Sequence, residues 1–581
     1  MKHMIAAAAM MAMVFSACAQ ENLAVLEARP GQPAPGEMLY TSLQRDVDAA
    51  LDRRQDRYGQ LKTADDVAAC QQELKAFFIE QLGGFPERTP LNARTVATLD
   101  RDGYRIEKVM FESRPGFHVT GLLHLPVTPG PHPAVLVPCG HSANGKASEA
   151  YQTGSILMAR NGVAAFCFDP FGQGERYQVL SEDGKPRHST TTEHTLAGAG
   201  CILLGLNAAT YEIWDGMRAI DYLQSREDID PKRIGCAGNS GGGTQTAYFM
   251  ALDDRIQCAA PSCYITSLRR LTDTIGPQDA EQNIHGQIAR GMDHADYIIM
   301  RAPKPTLLCC ATRDFFDIQG AWDSFRQAKR VYTRLGLPEG VDLVETDEEH
   351  GWTAELRSGT ARWMRRWLLN TNAPLTGQEC VILTDEEAQC TEQGQVLLLD
   401  GARSVYDLNA EIEAGYAAGR AALWSGDAAA ALARVREIAD IRPLDQVPAC
   451  TVETLGTIDR GGYRIEKQVF VPSEGIVVPA LRFVPAQPVG AVCLYAHGGG
   501  KQAEAAPGGA IEALVKQGLT VVAVDLPGLG ETTSAKDPKG GFSKRFSPNW
   551  KEFFLAYTLD RSLLRMRAES LLMLARALGG T

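Results

Sequence analysis

Gly238-Asn239-Ser240-Gly241-Gly242 sets a serine among glycines, and Gly243 extends the run. The apolar stretch Arg233 to Ala237 precedes it and the helix-forming stretch Thr244 to Ala251 follows. A sharp strand-to-helix turn of this kind is sterically crowded, so glycines flank the serine and its hydroxyl stands clear of a sheet. A hydroxyl becomes nucleophilic when a base takes its proton, and the base needs a carboxylate to hold its tautomer. In a parallel α/β sheet the expected chain order is serine, acid, histidine. Asp314 follows the apolar stretch Pro305 to Ala311, and His350 follows Asp342 to Thr346 and precedes Gly351-Trp352. Both fall where strands end, the side on which open α/β sheets build their sites. Asp317 is a rival acid; Asp314 lies nearer the strand end and is preferred.

Attack on a carbonyl puts negative charge on its oxygen, which needs waiting N–H donors. The backbone of Gly241 is expected to supply one, and the loop Cys139-Gly140-His141-Ser142 the other, from His141 or Ser142. The polar stretch Arg176 to Cys201 interrupts the strand–helix rhythm and reads either as a substrate-facing loop or as a solvated insertion. His194 is its pocket candidate, and Trp352 joins the substrate-facing set beside His350. Asp215 and Asp221, on the helix before the serine, read as structural.

These residues need a scaffold. Short apolar runs at Ala134 to Val137, Val163 to Phe168, Arg233 to Ala237, Pro305 to Ala311 and Asp342 to Thr346 read as buried strands. Helical stretches such as Ala209 to Ser225 and Gly320 to Leu335 lie between them. The alternation predicts a mostly parallel, doubly wound sheet. An antiparallel strand pair near Ile106 to Leu125 precedes it, and helical segments over Ser42 to Leu82 precede that.

Part of this pattern occurs twice. Asp100-Arg101-Asp102-Gly103-Tyr104-Arg105-Ile106-Glu107-Lys108 recurs as Asp459-Arg460-Gly461-Gly462-Tyr463-Arg464-Ile465-Glu466-Lys467. The pattern Asp-x-x-Gly-x-Gly-Glu runs from Asp169 to Glu175 and again from Asp525 to Glu531. A near-constant offset through loops as well as strands indicates two copies of one domain. Leu408 to Ile441 supplies the second set of helices and Ile465 to Val484 the second strand pair. Arg561 to Leu578 matches the helix before the serine strand, and the sequence then stops with no second serine, acid or base. Half of an open parallel sheet exposes an apolar edge. Either the sequence is a truncated reading or the half-domain is covered by the first domain or a partner. The expected organisation is a signal peptide (1–19), an N-terminal helical segment (20–92), the serine-bearing domain (93–372), a linker with helices (373–450) and an incomplete second copy (451–581). A piece of about 20–372 is expected to fold and act by itself.

With 581 residues the chain exceeds one ordinary domain. Its net charge of −12 argues against nucleic acid, which needs a basic face. Lys2, the apolar run Ile5 to Phe15 and Ala17-Cys18-Ala19 make a signal peptide cleaved before Gln20, so a secreted or periplasmic protein is expected. Ser16-Ala17-Cys18 also resembles a lipobox, and lipidation of Cys18 would tether the chain to a membrane; the soluble form is preferred. The core-strand cysteines read as buried free thiols, and no Cys-x-x-Cys pair has zinc spacing.

Trp214-Asp215, Arg218-Ala219-Ile220-Asp221-Tyr222-Leu223, Asp230-Pro231, Arg233-Ile234-Gly235, the serine turn, Arg313-Asp314-Phe315-Phe316 and His350-Gly351-Trp352 together resemble the acetyl xylan esterase-like hydrolases, relatives of the prolyl oligopeptidase superfamily. The resemblance covers roughly Thr95 to Leu369 and, more loosely, the second copy. It implies an α/β-hydrolase fold, hydrolysis of carboxylic esters, a Ser240–Asp314–His350 triad, an acylated carbohydrate such as acetylated xylan as substrate, and no metal or cofactor. Two alternatives are a serine peptidase of the prolyl oligopeptidase kind and a non-catalytic carbohydrate-binding protein. The roughly 90 residues ahead of the hydrolase domain are too few for the β-propeller of such peptidases.

Overall fold

The computed structural model describes residues 21–28, 30–377, 380–536 and 539–579. The expected signal peptide, with Cys18, lies outside the described residues. The chain forms two compact units. The larger comprises Tyr40–Ile441 and Lys536–Arg565; the smaller comprises Met1–Leu39, Arg442–Ala535 and Met566–Thr581.

The larger unit is built on a nine-stranded sheet. Its strands are β1 (Arg94–Arg101), β2 (Tyr104–Arg114), β3 (Phe117–Pro126), β4 (His132–Pro138), β5 (Ala164–Phe168), β6 (Ile229–Asn239), β7 (Ile256–Ser262), β8 (Thr306–Arg313) and β9 (Val341–Glu349), in the order β1-β2-β3-β5-β4-β6-β7-β8-β9. The first three are antiparallel, β5 runs against β3, and from β5 to β9 all neighbours are parallel. This is the mostly parallel sheet that the apolar runs predict, in the α/β-hydrolase fold that the resemblance implies. Val135, Leu136, Val137, Phe166 and Cys167 are fully buried, as strands covered on both faces require.

Helices make the crossovers. The expected helical segment Ser42 to Leu82 is two helices, α1 (Met38–Gly59) and α2 (Ala64–Gln81), separated by a capping box of Thr63 and Asp66. Between strands run α3 (Glu149–Arg160), α4 (Thr190–Leu203), α5 (Ala209–Gln224), α6 (Gly241–Leu252) and α7 (Ile318–Arg334), and α8 (Ala354–Leu368) follows β9. The polar stretch Arg176 to Cys201 is therefore loop only to Ser189; its second half is α4. Arg176 is fully buried and pairs with Asp215 at 2.8 Å, which gives Asp215 the structural role expected of it.

The larger unit also uses residues well beyond 372. Val405 and Leu408 of α9 (Val405–Ser425), with Phe554 and Tyr557 of α10 (Trp550–Thr558), join Phe117, Phe171 and Tyr211 in one apolar cluster.

The smaller unit has five strands, β10 (Cys450–Asp459), β11 (Tyr463–Pro472), β12 (Val478–Pro485), β13 (Val492–Ala496) and β14 (Thr520–Val524), in the order β10-β11-β12-β14-β13. Only β13 and β14 are parallel. The order and senses repeat those of β1-β2-β3-β5-β4. Even the register shift in the first hairpin recurs, between Thr95 and Ala97 and between Thr454 and Gly456. Leu481, Phe483, Val521 and Ala523 pack on one face, with Val25. Val522, Val524, Met573 and Leu574 pack on the other.

The repeated Asp-x-x-Gly-x-Gly-Glu run has a physical basis in both units. Lys146 donates its backbone N–H and its ammonium to Asp169, at 2.7 and 2.6 Å, and reaches Glu175 at 2.6 Å. Lys501 likewise donates N–H and ammonium to Asp525, at 2.6 and 2.8 Å, and pairs with Glu531. Both lysines are buried, and an ammonium is tolerated there only because carboxylates surround it. Gly174 and Gly530 have φ of 55° and 56°, and a Cβ on either would strike the aspartate carboxylate.

Candidate active site

Ser240 lies between the end of β6 and the start of α6, with φ 59° and ψ −126°. Left-handed backbone at a non-glycine residue is strained and survives only where its surroundings hold it. Its N–H donates to the carbonyl of Ser262 at 3.0 Å. A Cβ on Gly238 would lie 2.6 Å from the carbonyl oxygens of both Pro138 and Gly242, so the turn closes only around glycine.

Asp314 follows β8 and His350 follows β9. The two touch: His350 Nδ1 is 2.8 Å from Asp314 Oδ1. A carboxylate only accepts, so Nδ1 carries the proton and Nε2 offers its lone pair. The Phe316 N–H donates to the same Asp314 oxygen at 3.0 Å, and the Phe315 ring lies 4.2 Å from the imidazole. Asp317 is engaged elsewhere. It caps α7 through the Gly320 N–H and pairs with Arg270 at 2.8 Å, whose hydrogen bond holds it below the usual carboxylate range.

Ser240 and His350 line one cavity of about 380 Å³. His141, Ser142, Tyr151 and Thr191 also line it, with Phe315 and Phe316 on the apolar side. The loop after β4 is tied down: Gln173 donates to the Gly140 carbonyl at 2.7 Å, and Gln245 to that of Cys139 at 3.2 Å. Ser142's N–H is taken by the Gly140 carbonyl at 2.6 Å. Among the described residues the His141 N–H has no protein partner, which separates the two expected oxyanion donors. The His141 ring covers Gly241, where a Cβ would lie 2.9 Å from its Cε1.

Two expected substrate-facing residues do not line the cavity. Trp352 is a core residue beside Tyr151, because its indole fills the space over Gly154. His194, fully buried, stands behind His141.

Behind the cavity wall lies a cluster that sequence reasoning missed. His141 Nε2 is 3.0 Å from Glu281, 3.2 Å from Asp279 and 3.2 Å from His194 Nδ1. Glu212 lies 3.8 Å from the far side of His194. Burial pushes the imidazoles down, but the carboxylates of Asp279 and Glu281 outweigh it: His141 is held above its ordinary value and His194 well above. Burial pushes Glu281 up, and the two imidazoles outweigh that, taking it well below the usual range. Burial prevails at Asp279, which is raised, and at Glu212, pushed up to about 8. No spacing rule joins residues 141, 194, 212, 279 and 281; the fold alone collects them.

The family model for acetyl xylan esterase (AXE1) matches residues 62–294, a span that holds Ser240 and the buried cluster and stops before Asp314. A Bacillus subtilis (strain 168) protein named "Putative hydrolase YtaP" is 27% identical over 312 residues, covering 49% of this chain and 96% of that protein. Among solved structures, Methylesterase BT1017 is similar at 22% identity and TM-score 0.42, over 68% of this chain and 80% of its own. A glucuronoyl esterase from Solibacter usitatus is similar at 15% identity and TM-score 0.40, over 52% and 93%. The family match lies within the unit that carries the nine-stranded sheet.

Proposed function

We infer that the larger unit is a serine esterase that deacylates acetylated carbohydrate, such as xylan, through an acyl-enzyme. The observation that carries this reading is the 2.8 Å His350–Asp314 pair on the cavity that also holds the strained Ser240. His350 Nε2 takes the Ser240 proton as the oxygen attacks the ester carbonyl. The N–H groups of Gly241 and His141 receive the oxyanion. His350 then protonates the departing sugar oxygen, and the C–O bond breaks to leave acetyl-serine. Water, deprotonated by His350, releases acetate and restores the hydroxyl. Phe315, 46% exposed at the cavity, offers a face on which a sugar ring can lie.

The sequence start supports export, through a signal peptide over 1–19. The matching strand orders and the duplicated buried lysine support reading the smaller unit as a second copy of the first five strands of the larger one.

The test is turnover of an aryl acetate, acetylated xylan and a methyl-esterified uronic acid by the full chain and by Ser240→Ala. The reading expects acetate release from the acetyl esters and a loss on the order of 10⁴-fold or more in the folded variant. Near-normal turnover by Ser240→Ala overturns the mechanism. Exclusive turnover of the methyl ester overturns the substrate.

A further inference from the structure

We propose that His141, His194, Asp279 and Glu281 bind a divalent first-row transition-metal ion, zinc foremost, directly behind the Ser240 cavity. The donor atoms of these four residues all lie within 4.8 Å of one another. An ion bound tetrahedrally by imidazole and carboxylate holds its ligands at about 2.0–2.2 Å, which sets neighbouring ligand atoms about 3.3 Å apart. The separations here are 3.0 Å (His141 Nε2 to Glu281), 3.2 Å (to Asp279 and to His194 Nδ1), 3.3 Å (His194 Nδ1 to Glu281) and 3.8 Å (to Asp279). These contacts use both oxygens of Glu281, Oε1 toward His141 and Oε2 toward His194, and they stand at ligand-like spacing.

The proton inventory points the same way. His194 Nε2 lies 2.8 Å from the carbonyl of Phe171, an acceptor only, so that nitrogen carries a proton. In the neutral ring Nδ1 then turns a lone pair toward His141, Asp279 and Glu281. A hydrogen bond from the outer nitrogen to a backbone carbonyl is the usual way a metal-binding histidine is oriented. Asp279 Oδ2 and Glu281 Oε2 are buried and, although they lie 3.2 Å from His141 Nε2 and 3.3 Å from His194 Nδ1, make no well-aligned hydrogen bond. Two buried carboxylates that converge on two imidazoles need positive charge between them, which protons on the rings supply in the empty cluster and a bound cation would supply in their place. Two nitrogens and two carboxylates form a borderline set that suits zinc better than calcium or magnesium, which favour all-oxygen shells.

An ion there would pin three separate pieces of chain: the loop after β4, the helix α4 and the stretch holding Asp279 and Glu281. Its consequence for ester hydrolysis, holding the His141 N–H in place, rests on the esterase reading above; the binding itself does not.

The experiment uses the full chain stripped with dipicolinate and judged folded by circular dichroism. Zinc chloride is titrated in while bound metal and Tm are read; calcium and magnesium chloride are the controls. The expected result is one zinc per chain and a Tm raised by several degrees, with neither control able to replace it. His194→Ala, and the closer replacements Asp279→Asn and Glu281→Gln, should each cut zinc affinity at least tenfold. The second and third keep the test decisive if the first fails to fold. A folded, stripped chain that takes up no zinc and shows no change in Tm overturns the proposal. So does zinc held equally by all three variants, which would put the ion at another group such as Cys263, Asp314 and His350. An inactive chain that binds zinc as described refutes the esterase reading and leaves the metal site standing.

Discussion

In the proposed mechanism the chemistry at Ser240 depends on a backbone held in the left-handed region, and that at His350 on which carboxylate sits behind the ring. The second point separates two nearby aspartates. Asp314→Asn replaces an acceptor-only carboxylate by an amide that can present N–H to His350 Nδ1, which reverses the tautomer. The expected loss in kcat is on the order of 10⁴-fold, with little change in stability. Asp317→Asn touches a helix cap and one partly exposed ion pair, so it should cost about 1 kcal/mol of stability or less and leave kcat within a few-fold. Parallel measurement of kcat and Tm on the two variants checks both, and a kcat collapse confined to Asp317→Asn would reverse the assignment. Ser240, Asp314 and His350 are legible in the sequence because each terminates a recognisable strand in the expected order. Trp352 stands beside His350 in the sequence, yet side-chain direction after a strand end is set by packing. His194 is a pocket candidate by sequence, since nothing in the sequence reveals the layer of His141 in front of it.

Among the elements, the long apolar strands at the centre of the sheet are legible because both faces are covered, which makes their sequences continuous apolar runs. The strand β7 escapes notice because Gln257 and Pro261 break its run, and β1 because it is a polar, largely exposed edge. The helix α4 hides behind its three threonines, poor helix formers that packing nevertheless holds in place. The Asp-x-x-Gly-x-Gly-Glu run is visible as a repeat, but its partner Lys146 lies in another loop and is not. That knot makes a pH prediction. Burial pushes Glu175 up, yet the Lys146 ammonium, its hydrogen bond and the donors from Thr391 and Cys390 outweigh it, so its folded value is depressed. A depressed carboxylate stabilises the fold at pH above its unfolded value, about 4.3, and that contribution is lost as pH falls through the lower, folded value. The wild-type Tm should therefore drop steeply in acid. Glu175→Gln should lose about 3–5 kcal/mol at neutral pH, because it leaves the buried ammonium with one carboxylate fewer, and its acid limb should be shallower. Tm measured from pH 3 to 8 on both proteins checks this; parallel acid limbs would remove Glu175 from the account.

On the scale of the whole chain, the repeat suggests a clean cut near residue 372, and the larger unit does not respect that cut. Its apolar cluster around Phe117, Phe171 and Tyr211 is completed by Val405, Leu408, Phe554 and Tyr557. The carboxylate of Glu175 is satisfied in part by the N–H groups of Cys390 and Thr391, at 2.8 Å each. Segments this far along the chain could not be assigned to the first unit from sequence, because a repeat reports common ancestry of segments and not which core they fill. A 20–372 fragment would expose the apolar faces left by four lost side chains and strip donors from a buried carboxylate. Full burial of each large apolar group contributes about 1.5–3 kcal/mol, so the lost cluster members alone rival the roughly 5–15 kcal/mol by which an ordinary domain is stable. The fragment should be insoluble, or melt without cooperativity, and hydrolyse aryl acetate far more slowly than the full chain. A gentler version of the test is Phe554→Ala in the full chain, expected to cost about 3–5 kcal/mol through the cavity it opens while leaving the Ser240 cavity intact. Denaturant unfolding of that variant, beside the solubility and kcat/KM of the fragment, decides the matter. A 20–372 fragment with the full chain's Tm and kcat/KM would mean that the later segments only decorate a core already complete.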